Sequence, residues 1–424
     1  MVSFPIIPIN PINPVQTMTE TSTVTAAPPI INPALPARRI SSVDAYRGFV
    51  MLLMIGEVFS LQHVSQSLPG SSFWRFLAFN QSHVSWVGCS LHDMIQPSFS
   101  FLVGVALPFS LANRLAKGIR FSALLKSAVV RSLILIALGI FLRSMGSNQT
   151  YFTFEDTLSQ IGLGYTFLFL LGFRSQRIQV IALIIILVGY WAAFAFYPLP
   201  NGTLSETVTG APPNWEYNLH GFAAHWNKNT NFAWAFDRWF LNLFPREHSF
   251  EFNGGGYSTL SFIPTLGTMI LGLLAGNILK TNSPGKFKIK RFVLIGAGLL
   301  ALVALIHFTG VNPIVKRIWT PAWVIFSGGL CFLFLAFFYG VIDVYNHRKY
   351  AFILTVVGMN SIAAYVLADG FGGFLNHTLH IHLGQNFDKV FGDAYSTLIT
   401  GAIMIFIDWR ILYWMYKKKI FIKI

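Results

Sequence analysis

The stretch Gln81-Ser82-His83-Val84-Ser85-Trp86-Val87-Gly88, with His92-Asp93-Met94-Ile95-Gln96-Pro97 close behind it, opens onto an apolar run that continues to residue 116. A run of this length crosses a bilayer as a helix, which takes roughly 17–25 mostly apolar residues. A histidine, a tryptophan and an aspartate therefore stand at the lip of a membrane segment. Titratable groups are costly there and tend to be kept for function.

Outward from this block, apolar runs recur near 46–62, 94–116, 122–143, 154–173, 178–197, 259–279, 291–309, 321–343, 350–369 and 395–416. The chain is 54% hydrophobic and 11% charged, with a mean hydropathy of +0.57. Soluble domains carry about 25% charged residues. The expected fold class is an all-α polytopic membrane protein with about ten transmembrane helices, in contact with membrane lipid. The run at 154–173 is short and opens on Glu155 and Asp156.

The net charge of +14 does not indicate a nucleic-acid partner. The basic residues lie in small clusters at alternate helix ends, among them Arg114, Lys117 and Arg120; Arg174 and Arg177; Lys286, Lys288, Lys290 and Arg291; and Lys417 to Lys419. That is the positive-inside pattern; it predicts cytoplasmic termini and an exoplasmic His83. Residues 1–40 read as a flexible Pro/Thr-rich tail and 41–424 as one membrane domain. The two cysteines, Cys89 on the exoplasmic side and Cys331 within a helix, are not placed to form a bridge. The exoplasmic segment 198–258 carries Trp215, Trp226, Trp234 and Trp239. It is too long for a plain connector and reads as a lid or acceptor-binding cap, or else as a poorly ordered insertion. No internal repeat is visible, which disfavours a transporter built from two related halves.

His83 is the candidate catalytic group, because an imidazole titrates near neutrality and can take a proton or carry an acyl group. Its structural alternative is an interfacial residue that bonds a carbonyl. Asp93 is the candidate orienting carboxylate; N-capping of the helix it precedes is the alternative. Trp86 suits a sugar-stacking surface or an interfacial anchor. Asp44 and Arg47 are three apart on one helix face and can pair, and Arg47 can also meet phosphates arriving from the cytosol. Arg131, inside the third span, either faces the bundle interior or snorkels to headgroups. Glu57 and Gln160 are expected to point inward. Asn360, in Gly358-Met359-Asn360-Ser361-Ile362, packs helices closely or holds a substrate carbonyl or hydroxyl. His377, His380 and His382 lack an accompanying carboxylate pair, so no metal is expected.

Four segments, in order, resemble the transmembrane N-acetyltransferases of the heparan-α-glucosaminide type. They are Ser42-Val43-Asp44-Ala45-Tyr46-Arg47-Gly48-Phe49; the His83–Pro97 block; Tyr257-Ser258-Thr259-Leu260-Ser261-Phe262-Ile263-Pro264 running into Leu271-Gly272-Leu273-Leu274-Ala275-Gly276; and Gly358 to Ile362. A weaker fifth match is Asn312-Pro313-Ile314-Val315-Lys316-Arg317-Ile318-Trp319-Thr320. The resemblance implies acetyl-CoA bound from the cytosolic side, an exoplasmic acceptor amine, and His83 in the position of the family's catalytic histidine. Where the family carries an asparagine late in the first span, this chain offers Glu57 or Val58, which puts the acceptor chemistry in doubt.

The expectation is an acetyl-CoA-dependent N- or O-acyltransferase of a bacterial inner membrane. His83 and Asp93 are its catalytic residues, Arg47 and Arg131 bind the co-substrate, and Trp86, Glu57 and Asn360 bind the acceptor, an exoplasmic glycan or amino sugar. Homodimerisation is left open. The alternative readings are a transporter of a glycan precursor or small anion without acyl transfer, and a glycan-binding membrane module without turnover.

Overall fold

The computed structural model describes residues 40–422 apart from 201, 203, 204 and 213. The tail expected over residues 1–40 lies, Ile40 excepted, outside the described residues. The chain runs through α1 (Ser41–Ile55), α2 (Leu61–Ser67), α3 (Ser72–Gln81), α4 (Ile95–Ala116), α5 (Phe121–Ser144), α6 (Thr157–Gly172), α7 (Gln176–Ala195), α8 (Glu206–Thr209) and α9 (Phe232–Phe240). It continues through α10 (Phe262–Lys280), α11 (Gly285–Phe308), α12 (Pro321–Phe338), α13 (Phe352–Met359), α14 (Ser361–Leu383) and α15 (Ser396–Lys417). The described residues contain no β-strand, only an isolated antiparallel bridge between Val87 and Val315.

Seven helices among the described residues (α4, α5, α7, α10, α11, α12 and α15) are long and apolar enough to cross a membrane, and two bent pairs bring the number to nine. Against the expected ten or so spans, the runs differ in three places. The run near 46–62 breaks at Ser60, which adopts a left-handed φ of 45°, and α2 leaves α1 at 44°. The run near 350–369 breaks at Asn360 with a bend of 79°. In the run near 154–173, Asp156 starts the helix late. Its carboxylate accepts the N–H groups of Leu158 and Ser159 at 2.9 and 3.0 Å, leaving α6 only 16 residues long.

Two glycine-mediated crossings set the centre. A Cβ on Gly104 or Gly272 would collide with the backbone carbonyl of Met269 or Phe101, so α4 and α10 approach backbone to backbone. In the same way Gly48 of α1 and Gly358 of α13 lie against the carbonyls of Leu354 and Asp44. Small residues at such crossings let helices meet without a side chain between them, as membrane interiors favour. The central helices α4 and α10 are largely buried, whereas α5, α7 and α11 leave most of their apolar surface uncovered for lipid. Gln160, fully buried, fastens the start of α6 to the approach of α10 by donating to the carbonyls of Phe154 and Thr259 at 2.7 and 3.1 Å.

Segment 198–258 folds, over its described residues, into a cap. Its core joins Trp86, Phe194, Trp226, Leu260 and Val315, and α9 is capped by Asn231, which accepts from Trp234 N at 3.1 Å. Within the cap Asp237 is 2% exposed and accepts from Thr259 N at 2.9 Å.

Candidate active site

The site is assembled by the pairing of two loops. The bridge between Val87 and Val315 is extended by Gly88 N donating to Ile314 O at 3.1 Å. Gly88 has a φ of 118°, a conformation open to glycine at no steric cost. Arg317 locks the arrangement by donating to Val84 O at 3.2 Å and Gly255 O at 2.8 Å. Its neighbour Lys316 is thereby delivered to Asp93, 223 residues away in sequence, at 3.1 Å.

Asp93 is almost fully buried, and its carboxylate does not cap α4. Oδ2 accepts from Val84 N at 3.2 Å and from the N–H and hydroxyl of Ser90, both at 3.0 Å. Oδ1 lies 2.8 Å from His83 Nδ1 and 3.1 Å from Lys316 Nζ. Lys316 Nζ also stands 3.1 Å from His83 Nδ1. The side chains of Asp93 and Lys316 are 1% and 5% exposed, whereas that of His83 is 38% exposed. A buried ion pair thus sits beneath an accessible imidazole. Nδ1 has two neighbours: as an N–H it donates to Asp93 and leaves the Nε2 lone pair free, and as a bare nitrogen it accepts from Lys316, whose ammonium also balances the carboxylate charge.

His83 opens on a cavity of about 250 Å³ lined also by Glu57, His92, Arg143, Glu155, Asp156, Tyr257, Lys316, Tyr365 and Asp369. His92 is buried, its ring 4.7 Å from that of His83 and its Nε2 3.8 Å from the carboxylate of Glu57. Burial pushes the carboxyls of Glu155 and Asp156 upward. Cys89, near Asp93, has its thiol pushed up to about 12, first by burial and then by the carboxylate charge. A protonated thiol of that kind is a poor nucleophile at neutral pH.

A second cavity, of about 380 Å³, is lined by Arg47, Arg114 and Arg131 and by the apolar side chains of Met51, Phe99, Val103, Leu135, Leu158 and Ile161. Arg131 packs against Tyr165 of α6. Its guanidinium carbon lies 4.4 Å from the centre of the Tyr165 ring, and it donates to that residue's hydroxyl at 3.2 Å. Its Nε is buried with no hydrogen-bond partner. Arg47 lies 3.6 Å from Asp44. The two cavities share Thr157 and Tyr365 as lining residues.

The structure therefore brings His83 and Glu57 to one cavity, with Asp93 buried behind His83, and Arg47 and Arg131 to the other. It brings two expected acceptor residues to neither role. Trp86 is completely buried under the cap, its Nε1 donating to Trp226 O at 3.0 Å, so no ring face is left for a sugar or for the membrane interface. Asn360 is also fully buried, with both ends of its amide spent on backbone at Ile420 and Ile422. Conversely, the sequence reading missed Lys316, His92, Tyr365 and Asp369. Lys316 and His92 do fall within two of the segments quoted above, which was the available signal. Among the described residues no group of three or more His, Cys, Asp or Glu side chains could hold a metal ion, and His380 instead lies 3.5 Å from Asp388.

No family model matches the chain. Two characterised proteins do. Heparan-alpha-glucosaminide N-acetyltransferase of Homo sapiens is 24% identical over 446 residues, covering 92% of this chain and 60% of the human protein. The Mus musculus protein of the same name is 31% identical over 104 residues, which is 24% of this chain and 14% of the mouse protein. The chain thus spans less than two thirds of the length of the relatives it matches. The similarity to the human heparan-alpha-glucosaminide N-acetyltransferase is low in identity but runs along nearly all of this chain.

Proposed function

We propose that the protein is a membrane-embedded acyltransferase that moves an acetyl group from cytosolic acetyl-CoA to an amine or hydroxyl on the exoplasmic side, with an amino sugar as the expected acceptor. The observation that carries this reading is a pair of cavities that share Thr157 and Tyr365 as lining residues, one lined by three arginines and the other by His83. The activity for which the relatives are named, N-acetyl transfer, agrees with it.

Arg47, Arg114 and Arg131 supply the fixed positive charge that the phosphates of CoA require. The apolar wall between the cavities suits the uncharged arm that carries the thioester. Acetyl-CoA supplies the activated acyl group. His83 Nε2 removes the proton from the acceptor as its nitrogen or oxygen attacks the thioester carbonyl. The C–S bond breaks and the leaving thiolate takes up that proton. Asp93 holds the imidazole by Nδ1, and Lys316 keeps Asp93 ionised where it is buried. Glu57 and Asp369 supply negative charge to the acceptor side of the cavity.

The test is transfer of labelled acetyl from acetyl-CoA to a panel of amino sugars by purified protein. His83→Ala should lose roughly 10²–10⁴-fold in turnover while retaining acetyl-CoA binding. His83→Gln should not restore it, because an amide does not accept a proton at neutral pH. Near-normal turnover in His83→Ala would remove the histidine from the mechanism.

A further inference from the structure

We infer that the segment following α15 is a wall of the acetyl-CoA cavity, clasped in place by Asn360, which makes Asn360 a positioning residue for the donor rather than a contact for the acceptor. This rests on the reading of the arginine-lined cavity as the donor site.

The chain reverses direction at the end of α15 by a tight cap. Ile420 N donates to Met415 O at 2.9 Å and Lys419 N to Tyr416 O at 3.1 Å, with Lys419 in the left-handed region at a φ of 57°. This pairing of the two N–H groups with the last-turn carbonyls is the Schellman arrangement, which turns the chain away from the helix axis. A lysine stands where glycine is usual, so something beyond the turn holds the reversed segment down.

That something is Asn360. The break between α13 and α14 leaves this residue outside both helices and fully buried. Its amide nitrogen donates to Ile420 O at 2.9 Å, and its carbonyl oxygen accepts from Ile422 N at 3.2 Å. A primary amide offers one donor edge and one acceptor edge, and both are matched to an extended backbone two residues long. The clasp is specific to the backbone of this segment and independent of its side chains.

The clasp also sets what faces the cavity. Ile422 lines the same cavity as Arg47 and Arg131, together with Met359, Ser361 and Ile362 on either side of Asn360. Although its backbone is pinned, Ile422 keeps 45% of its surface uncovered. Ile422 thus offers an apolar side chain on a pinned backbone as a contact for the apolar part of the donor.

The experiment compares equilibrium binding of labelled acetyl-CoA by the intact protein, by Asn360→Ala, by Ile422→Ala, by a chain stopped after Lys419, and by the stopped chain carrying Asn360→Ala. Loss of the clasp should weaken binding about tenfold, the effect of one or two net hydrogen bonds. The combined variant should bind no more weakly than the stopped chain alone, since without the segment Asn360 has nothing to clasp. Ile422→Ala keeps the backbone clasp and should weaken acetyl-CoA binding without changing the KM of the acceptor; it also serves if Asn360→Ala does not fold. Unchanged affinity in the stopped chain and in Ile422→Ala, or additive losses in the combined variant, would overturn the proposal. An intact protein that fails to bind acetyl-CoA would remove the donor reading itself, and the clasp's role with it.

Discussion

Replacing Lys316 by methionine keeps an unbranched side chain one atom shorter and removes the ammonium with its charge and N–H donors, so it tests the role of the buried cation. The lysine is 5% exposed and lies 3.1 Å from a carboxylate that is 1% exposed. Removing one member of such a pair strands the other, at a cost of about 3–5 kcal/mol. Here the lower end applies. Asp93 keeps the N–H of Val84 and both donors of Ser90, and His83 remains 2.8 Å away. At about 3 kcal/mol, and with Tm moving ~2–4 °C per kcal/mol in domains of 150–250 residues and less in longer chains, the fall should be about 3–6 °C. The assay is thermal unfolding of purified protein, run beside Asp93→Asn and the double variant. Because the amide of Asp93→Asn carries no charge to strand, the double variant should recover most of the stability lost by Lys316→Met. Neither it nor either single variant should recover turnover. Additive losses in the double variant would show that Lys316 and Asp93 do not act as a pair, and would refute the assignment of Lys316 as the counter-charge.

Two further outcomes follow from the same geometry. Arg131→Ala removes a guanidinium that stacks on Tyr165 and presents an unpartnered Nε, and should raise the KM for acetyl-CoA by roughly 10- to 150-fold, equivalent to about 1.5–3 kcal/mol, with the acceptor KM little changed. An acceptor KM that rose as steeply would place Arg131 in the wrong half of the path. In the cap, burial pushes the Asp237 carboxyl up to about 7, with Glu155 adding to the rise while the Thr259 N–H and Arg246 oppose it. A folded pKa above the unfolded one means the folded cap holds the proton more tightly. Its contribution to stability is complete below about pH 4 and is lost as pH rises through about 7. Measured by thermal unfolding between pH 5 and 8, Asp237→Asn should flatten this decline, and an identical slope in the variant would remove Asp237 as its source.

How much of this could be read in the chain depended on sequence distance. His83 and Asp93 are ten residues apart, and the loop between them is short enough that their pairing is nearly a local event. The lysine that completes the group is 223 residues from Asp93 and arrives through one backbone bridge, which no periodicity announces. Hydropathy located the membrane helices well because burial in lipid acts on whole segments. It did not locate the breaks at Ser60 and Asn360, where single residues leave the helical conformation while their neighbours stay apolar. Trp86 was misread for a related reason. Tryptophan suits an interface, a sugar or a core equally well, and only the folded cap, with Trp226 accepting its N–H, decides among them.

The glycines and the polar residues of the quoted segments solve one problem together. The crossing of α1 and α13 at Gly48 and Gly358 is so close that neither helix can shift without moving the other. Arg47 adjoins the first glycine, and Asn360 follows the second by two residues, so this crossing fixes the spacing between a cation and the clasp at one end of the path. At the other end the bridge of Val87 to Val315 fixes Lys316 over Asp93 and beside His83. Between them stand Thr157, whose place is set by the Asp156 cap, and Tyr365, one turn beyond Asn360 in α14. A substitution at either crossing therefore changes the distance between the two ends rather than the chemistry at one of them. A bulkier residue at Gly48 should consequently impair donor binding and transfer together, while leaving the ion pair of Asp93 and Lys316 intact.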